Sequence, residues 1–515
     1  MNSRFRQARH GQQGQVSVIV LLLMLAFIGL TLFVINIGFV LRASRELRAS
    51  ADAAASAAAM DLSNNLDAPT AKATAIAYSM TPGSKNADSH LSNVSMIAGF
   101  PKVVCLTTIP GLVMVPSCSN VALGNAIVVE EQASVPTIGG SFLGVSTINI
   151  TAKSLALMKG QGTPIPGNLV VIIDTTPSMA SSDPSSTCRS RSGISHPTKL
   201  DCAKWGVRTL LTQLAPCSPS LTDCGAVDAT GNVANPVSEV ALMTFPGLTS
   251  PATNGISNYA VDEYNCQAVS LSPYIAPYAT PSTFPPYFTI VSFSSDYRSS
   301  YTSPSLNSGT SKLVNAVDWH SQSGCSTGKY GLQIIPTIPP GRRTYYAGAL
   351  AEAQADLSNP SIIPPPRNSL QSAIILLSDG DATAQCTNVK NGLCGSGSDF
   401  TTATPSTYGQ NECQAAITAA KTAAGIKNAA GLKTWVYSIA FGATKSGSCA
   451  SDHGALSGCS TMQQIASDPT KFFSDAVSGC VSPANPSITS LDQIFSAIGY
   501  DFSSTRVLPF NLYTP

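Results

Sequence analysis

The chain has 515 residues, too many for one ordinary domain. With 29 Lys and Arg against 28 Asp and Glu, a net charge of +1 and only 11% charged residues, it has no overall basic field for nucleic acid and no acidic solvating tail. Its 43% hydrophobic residues suffice for large cores, and its polarity comes from Ser, Thr, Asn and Gln, which suits an extracytoplasmic surface better than a cytosolic one.

Residues 1–15 carry Arg4, Arg6 and Arg9 and read as a cytoplasmic tail. Val16 to Leu41 follows, 26 residues without an ionisable side chain. As a helix that is about 39 Å, more than the roughly 30 Å of a hydrocarbon core. Signal-peptide apolar regions are shorter, about 7 to 15 residues, so an uncleaved single-pass anchor is expected. Arg42, Arg45 and Arg48 balance the first three arginines and leave the orientation open. The fourteen cysteines settle the expectation. None precedes Cys105, none has C-x-x-C spacing, and the five histidines lack metal-finger spacing, so disulfides in an oxidising compartment are the reading. The bulk after Leu41 is then periplasmic or extracellular. Arg42 to Met60 (RASRELRASADAAASAAAM) has no Gly or Pro and continues the helix, giving one anchor element over 16–60.

Gly-Gln ahead of a long apolar span, the break Asn36-Ile37-Gly38, the arginines and then Ser50-Ala51-Asp52-Ala53-Ala54-Ala55 together resemble the N-terminal module of TadG-like proteins of the Flp/Tad pilus assembly system. Asn36 stands where that family commonly has Asp. No Glu lies five residues after Gly11 or Gly14, so prepilin-type processing is not expected. The resemblance implies a bacterial inner-membrane protein working with other Tad pilus components.

Residues 61–163 read as a small α+β domain. Pro69 to Ser79 suits a short helix, Ala126 to Val135 and Thr147 to Met158 suit strands, and Cys105 with Cys118 could staple the domain. Pro164 to Gly167 is a linker. Asn168 to Asp174 (NLVVIID) is then a continuous apolar run, the mark of a strand buried on both faces. A helix is predicted at Lys199–Leu214, a strand at Val237–Phe245, a helix at Tyr345–Leu357, a strand at Ala373–Leu377, a helix at about Cys413–Ala430 and a strand at Lys433–Phe441. This alternation predicts an α/β fold with a doubly wound, mostly parallel sheet over 167–505.

Three element ends carry the chemistry. Asp174, Thr176 and Ser178 have D-x-[ST]-x-S spacing, Thr344 opens a helix, and Asp379 closes the strand AIILLSD. Loops at the carboxyl ends of parallel strands converge, so these five side chains can meet. Hydroxyls and carboxylates suit a hard divalent cation and not zinc or copper. The order and spacing resemble the von Willebrand factor A domain and its metal-ion-dependent adhesion site, with Thr176 for the usual first Ser and Pro177 for the usual Gly. That resemblance implies Mg²⁺, or Mn²⁺ or Ca²⁺, ligated by Thr176, Ser178 and Thr344, with Asp174 and Asp379 binding directly or through water. A partner protein's acidic side chain would complete the coordination.

Insertions at about 246–340 and 384–410 lengthen this domain, and disulfide staples such as Cys266 with Cys325 would hold them. The first holds Tyr259, Tyr264, Tyr274, Tyr278, Tyr287, Tyr297, Tyr301 and Tyr330, a composition that suits either a recognition surface or a cover for the domain's own core. No H-E-x-x-H or Walker A motif is present. The expected function is metal-dependent protein binding in pilus assembly or anchoring, not catalysis. A pilin-like fibre subunit and a surface hydrolase with its site in the insertions are the alternatives.

Overall fold

The computed structural model describes residues 12–508 apart from 66–67, 88–90, 107–123, 159–163, 184–187, 191–195, 218–223, 230, 249–286, 299–304, 309, 319–330, 333–343, 345, 380–381, 383, 387–388, 391–392, 395–399, 403–411, 444–448, 450–455, 478 and 504. Its first element, α1 (Gln12–Asn65), is one unbroken helix of 54 residues, about 81 Å long. Large apolar side chains from Val18 to Leu41 are exposed around most of its circumference, and the most apolar stretch has a mean hydropathy of 3.2. Such a surface fits a membrane span. From Val40 onward the pattern turns one-sided. Ala43, Leu47, Ala51, Ala54, Ala58 and Leu62 recur every three or four residues and are buried. Alanine favours the helix and lets its axis come close to whatever it packs on.

What it packs on is a sheet. After α2 (Ala68–Ala77) come β1 (Ser92–Met96), β2 (Lys102–Val104), β3 (Ala126–Pro136) and β4 (Thr147–Leu157). β3 and β4 pair antiparallel over their full lengths, from Ala126 opposite Leu157 to Pro136 opposite Thr147. Side chains alternate between the faces. Ile127, Val129, Ala133 and Val135 join the α1 core, while Val128, Leu155 and Leu157 form a smaller cluster on the other side.

The larger unit is built on β5 (Gly167–Asp174), β6 (Ser238–Leu248), β7 (Tyr287–Ser294), β8 (Gln371–Ser378), the short β9 (Ala384–Cys386), β10 (Val389–Lys390), β11 (Leu393–Cys394) and β12 (Phe400–Thr402), then β13 (Trp435–Ala440) and β14 (Phe472–Ser474). Its six-stranded sheet has the order β14-β13-β8-β5-β6-β7, with every neighbour parallel except β6 and β7. β5 and β8 are buried at every position, which is why they read as unbroken apolar runs. One face is covered by α3 (Lys199–Gln213) and α8 (Leu491–Asp501), with α4 (Lys312–Ala316) alongside. The other face is covered by α5 (Tyr346–Ser358), α6 (Glu412–Gly425) and α7 (Gly458–Ile465).

The stretch expected as a first insertion supplies β7, an antiparallel edge strand, and α4. Tyr297 belongs to the core there, with its hydroxyl donating to the Ser238 carbonyl at 3.2 Å. Tyr287 opens β7, and the other six tyrosines named above lie outside the described residues. The second expected insertion supplies the short pairs β9 with β12 and β10 with β11. Among the described residues, disulfides join Cys188 to Cys202, Cys217 to Cys224, Cys413 to Cys449 and Cys459 to Cys480, and no cysteine is free. Cys105 is bonded too, while Cys118, Cys266 and Cys325 lie outside the described residues.

After α8 the chain returns to the first sheet. β15 (Arg506–Leu508) pairs antiparallel with β4, Arg506 opposite Leu157. The larger unit is therefore joined to the smaller one by two adjacent segments, which touch where Ile165 N donates to the Phe502 carbonyl at 2.8 Å. Gly167 begins β5 at this neck, where a Cβ would lie 2.8 Å from the Phe502 ring. Asp174 is seven residues further on, about 23 Å away at the opposite edge of the sheet.

Candidate functional site

β5 and β8 are parallel neighbours, and they end side by side. β6 continues the sheet on the other side of β5, so the strand order reverses at this point, the place where open α/β sheets generally bind their ligands beyond the carboxyl ends. Asp174 ends β5, and Ser378 ends β8 just ahead of Asp379. The segment after β5 is held down by Thr175, whose N and Oγ1 both donate to the Phe245 carbonyl at 3.0 Å. A 3-10 turn over Pro177–Ala180 follows, with Pro177 at its first position. Met179 inserts fully into the core, while Ser178 stays exposed at the rim.

The side chains form one hydrogen-bonded chain. Asp174 Oδ1 accepts from Thr176 N at 2.8 Å and from Thr176 Oγ1 at 2.5 Å. Thr176 Oγ1 lies 2.9 Å from Ser178 Oγ, which donates to Asp379 Oδ1 at 2.6 Å. On the inner side, Ser378 Oγ donates to Asp174 Oδ2 at 2.5 Å and accepts from the Tyr346 hydroxyl at 2.7 Å. Four of the five sequence-derived residues, Asp174, Thr176, Ser178 and Asp379, are thus brought together. Thr344, the fifth, is buried two residues before Tyr346, the residue that opens α5 and reaches Ser378.

Burial is the main electrostatic fact. Asp174 is fully buried, and desolvation, with the Asp379 carboxylate adding to it, pushes its carboxyl up to about 7. The hydrogen bonds from Ser378 and Thr176 act against that rise without cancelling it. Cationic charge reaches the pair from one side, where Lys199 Nζ sits 2.8 Å from Asp379 Oδ2. Gly442 makes room for that ammonium, since a Cβ there would lie 2.8 Å from Nζ. The donor set fits a hard divalent cation: it is all oxygen, it combines hydroxyls with two carboxylates, and the two carboxylates lie close enough for the charge of one to raise the other. A separate group, Asp183 with Cys188 and Cys202, offers no comparable set because both cysteines are spent in their disulfide.

Sequence reasoning missed Lys199, Ser378 and Tyr346. For Lys199 a signal existed. A lysine in the first turn of a helix opposes the positive end of the helix dipole, so it calls for a carboxylate elsewhere. Asp379, 180 residues away, supplies it.

Residues 14–61 match the Tad family model, described as "Putative Flp pilus-assembly TadE/G-like". No curated protein matches the chain. Among solved structures, the pilus adhesin SpaC from Lactobacillus rhamnosus GG in its open conformation overlaps 73% of this chain at 12% identity and a TM-score of 0.32. This chain covers 32% of that adhesin, about a third of its length. The PilB minor pilin from Streptococcus sanguinis overlaps 73% of this chain and 74% of its own length at 13% identity and a TM-score of 0.30. At such TM-scores the overlaps carry no argument about fold or role. The shared ground with a known family is therefore the N-terminal helix, which over residues 14–61 is similar to the Flp pilus-assembly TadE/G-like model.

Proposed function

We propose that this chain is a single-pass protein of the bacterial inner membrane whose larger unit, of von Willebrand factor A type, lies in the periplasm or outside the cell. There it binds a protein partner among the Tad/Flp pilus components through a divalent cation. The observation that carries this reading is the continuous chain of oxygen donors from Asp174 through Thr176 and Ser178 to Asp379 at the reversal point of the sheet. Asp174, Thr176, Ser178, Thr344 and Asp379 would hold Mg²⁺, Mn²⁺ or Ca²⁺. When bound, such an ion supplies an electrophilic centre for a carboxylate oxygen of the partner. The protein's own groups bind and orient: Ser378 and Tyr346 fix Asp174 from inside, and the 3-10 turn presents Ser178 at the rim. The site lies at the end of the sheet opposite the neck. This is a binding role rather than a catalytic one.

Calorimetric titration of the chelator-treated full chain in detergent should give one Mg²⁺ or Mn²⁺ site. Asp379→Ala and Asp174→Ala should each weaken it by about tenfold or more, since even outer-shell groups at metal sites matter by 10- to 100-fold. Folded wild type that takes up no divalent ion, or variants that bind as well as wild type, would sink the metal-dependent role. Protease shaving of spheroplasts should digest the protein beyond Leu41, and protection of that region would reverse the orientation.

A further inference from the structure

We propose that residues 137–146, the tip of the β3–β4 hairpin, form a membrane-seated foot that rests in the outer face of the same bilayer that α1 crosses. The occupant of its exposed apolar surface is phospholipid. This rests on reading α1 as a membrane anchor.

The helix fixes the height. A hydrocarbon core of roughly 30 Å takes up about 20 residues at 1.5 Å each, so a span beginning near Val16 leaves the core near Ile35. The hairpin tip meets α1 at just this level. Asn36 Nδ2 donates to the Ile138 carbonyl at 3.0 Å, and Ile138 N donates to Asn36 Oδ1 at 2.8 Å. One turn deeper, Gly139 faces Leu32: its φ of +71° suits glycine, and a Cβ there would lie 3.0 Å from Leu32 Cδ1. A lone amide in an apolar span is costly unless both of its polar atoms are matched, and the hairpin main chain matches both.

Two further observations point to lipid as the occupant. No ionisable side chain lies between Glu131 and Lys153, while Ile138 and Val145 at the tip are each 49% exposed. The tip also pairs part of its backbone internally, which lowers the cost of a loop at this depth. Thr137 N donates to Ser146 O at 2.9 Å, Val145 N to Gly140 O at 2.9 Å and Gly144 N to Ser141 O at 3.3 Å. Above it Arg42 is exposed on α1 at the height of the headgroup phosphates. The apolar surface of the tip is thus continuous with the apolar surface of α1, and whatever solvates one solvates the other.

The full chain, reconstituted in phosphatidylcholine vesicles with bromine on the acyl chains, tests the foot by tryptophan quenching. Wild type, with its three native tryptophans, is the baseline; Phe27→Trp reports on α1, and Ile138→Trp on the foot. Both added tryptophans should lose emission in brominated relative to unbrominated vesicles, and adding Asn36→Leu should reduce the loss at position 138. If Ile138→Trp fails to fold by circular dichroism, Val145→Trp replaces it. Quenching at position 27 without quenching at the tip overturns the foot and leaves the anchor standing. Quenching at neither position overturns both, as expected if α1 packs among protein helices in a fibre.

Discussion

The buried Asp174 makes the pH dependence of the metal-free protein a direct test of the candidate site. Its carboxyl lies at about 7 in the fold against 3.8 in a solvated chain. Between those values the folded state holds a proton that the unfolded state has released, so unfolding free energy falls as pH rises. About three units correspond to about 4 kcal/mol, an upper figure because Asp379 shares the effect. Asp174→Asn removes the titration while keeping an oxygen for Thr176 N. Burial also raises Glu131, Asp296, Glu352, Asp356 and Asp475, so wild type alone would show the same trend from several sources. The informative quantity is the difference between wild type and variant. In chelator, thermal melts of both in detergent should converge near pH 4 and separate towards pH 8, with the Asn variant the more stable. Mg²⁺ should close the gap by stabilising wild type alone. A constant difference from pH 4 to 8 would refute the idea that an uncompensated carboxylate sits at the end of β5.

Two other substitutions probe its surroundings. Lys199→Met removes the ammonium from Asp379, so the chelated protein should melt lower, as expected when one partner of a buried ion pair is lost, while divalent affinity by calorimetry should rise. Unchanged affinity would mean that Lys199 does not share the carboxylate with the metal. Gly206→Ala should destabilise by about 1–3 kcal/mol even though alanine favours a helix, because its Cβ would lie 2.2 Å from the fully buried Phe495 ring; a neutral result in thermal melts would contradict the close crossing of α3 and α8.

Sequence pattern conveyed most where burial was complete. β5 and β8 each hold an unbroken run of five apolar residues, Leu169–Ile173 and Ala373–Leu377, and each run leads into polar residues that the site uses, so Asp174 and Asp379 could be placed from the sequence. α3 and β13 likewise fall within a few residues of where periodicity puts them, over 199–214 and 433–441. Beyond Phe441 the pattern gave nothing. β14 is three residues long and β15 is three residues long, too short for any period to show. Their partners, moreover, are distant in sequence: Arg506 lies opposite Leu157. β7 was hidden for another reason, since it follows a long Ser-, Pro- and Tyr-rich stretch whose composition signals a loop. At the site, spacing along the chain could relate Thr176 to Ser178. It could not reveal that Lys199, from a helix, shares Asp379 with Ser178.

The two-segment neck has a mechanical consequence. A single linker would let the larger unit swivel about one bond, but two adjacent segments resist torsion, because turning one drags the other around it. The direction in which the site faces is thereby set by the sheet that α1 holds. A pull on the site away from the membrane also divides between two routes. Through β4 it runs covalently into β3. Through β15 it is applied at the Arg506 end along the strand axis, so the rungs to Leu155, Ala156 and Leu157 are sheared together instead of peeling one by one. A domain hung in this way bears tension without turning away from what it holds.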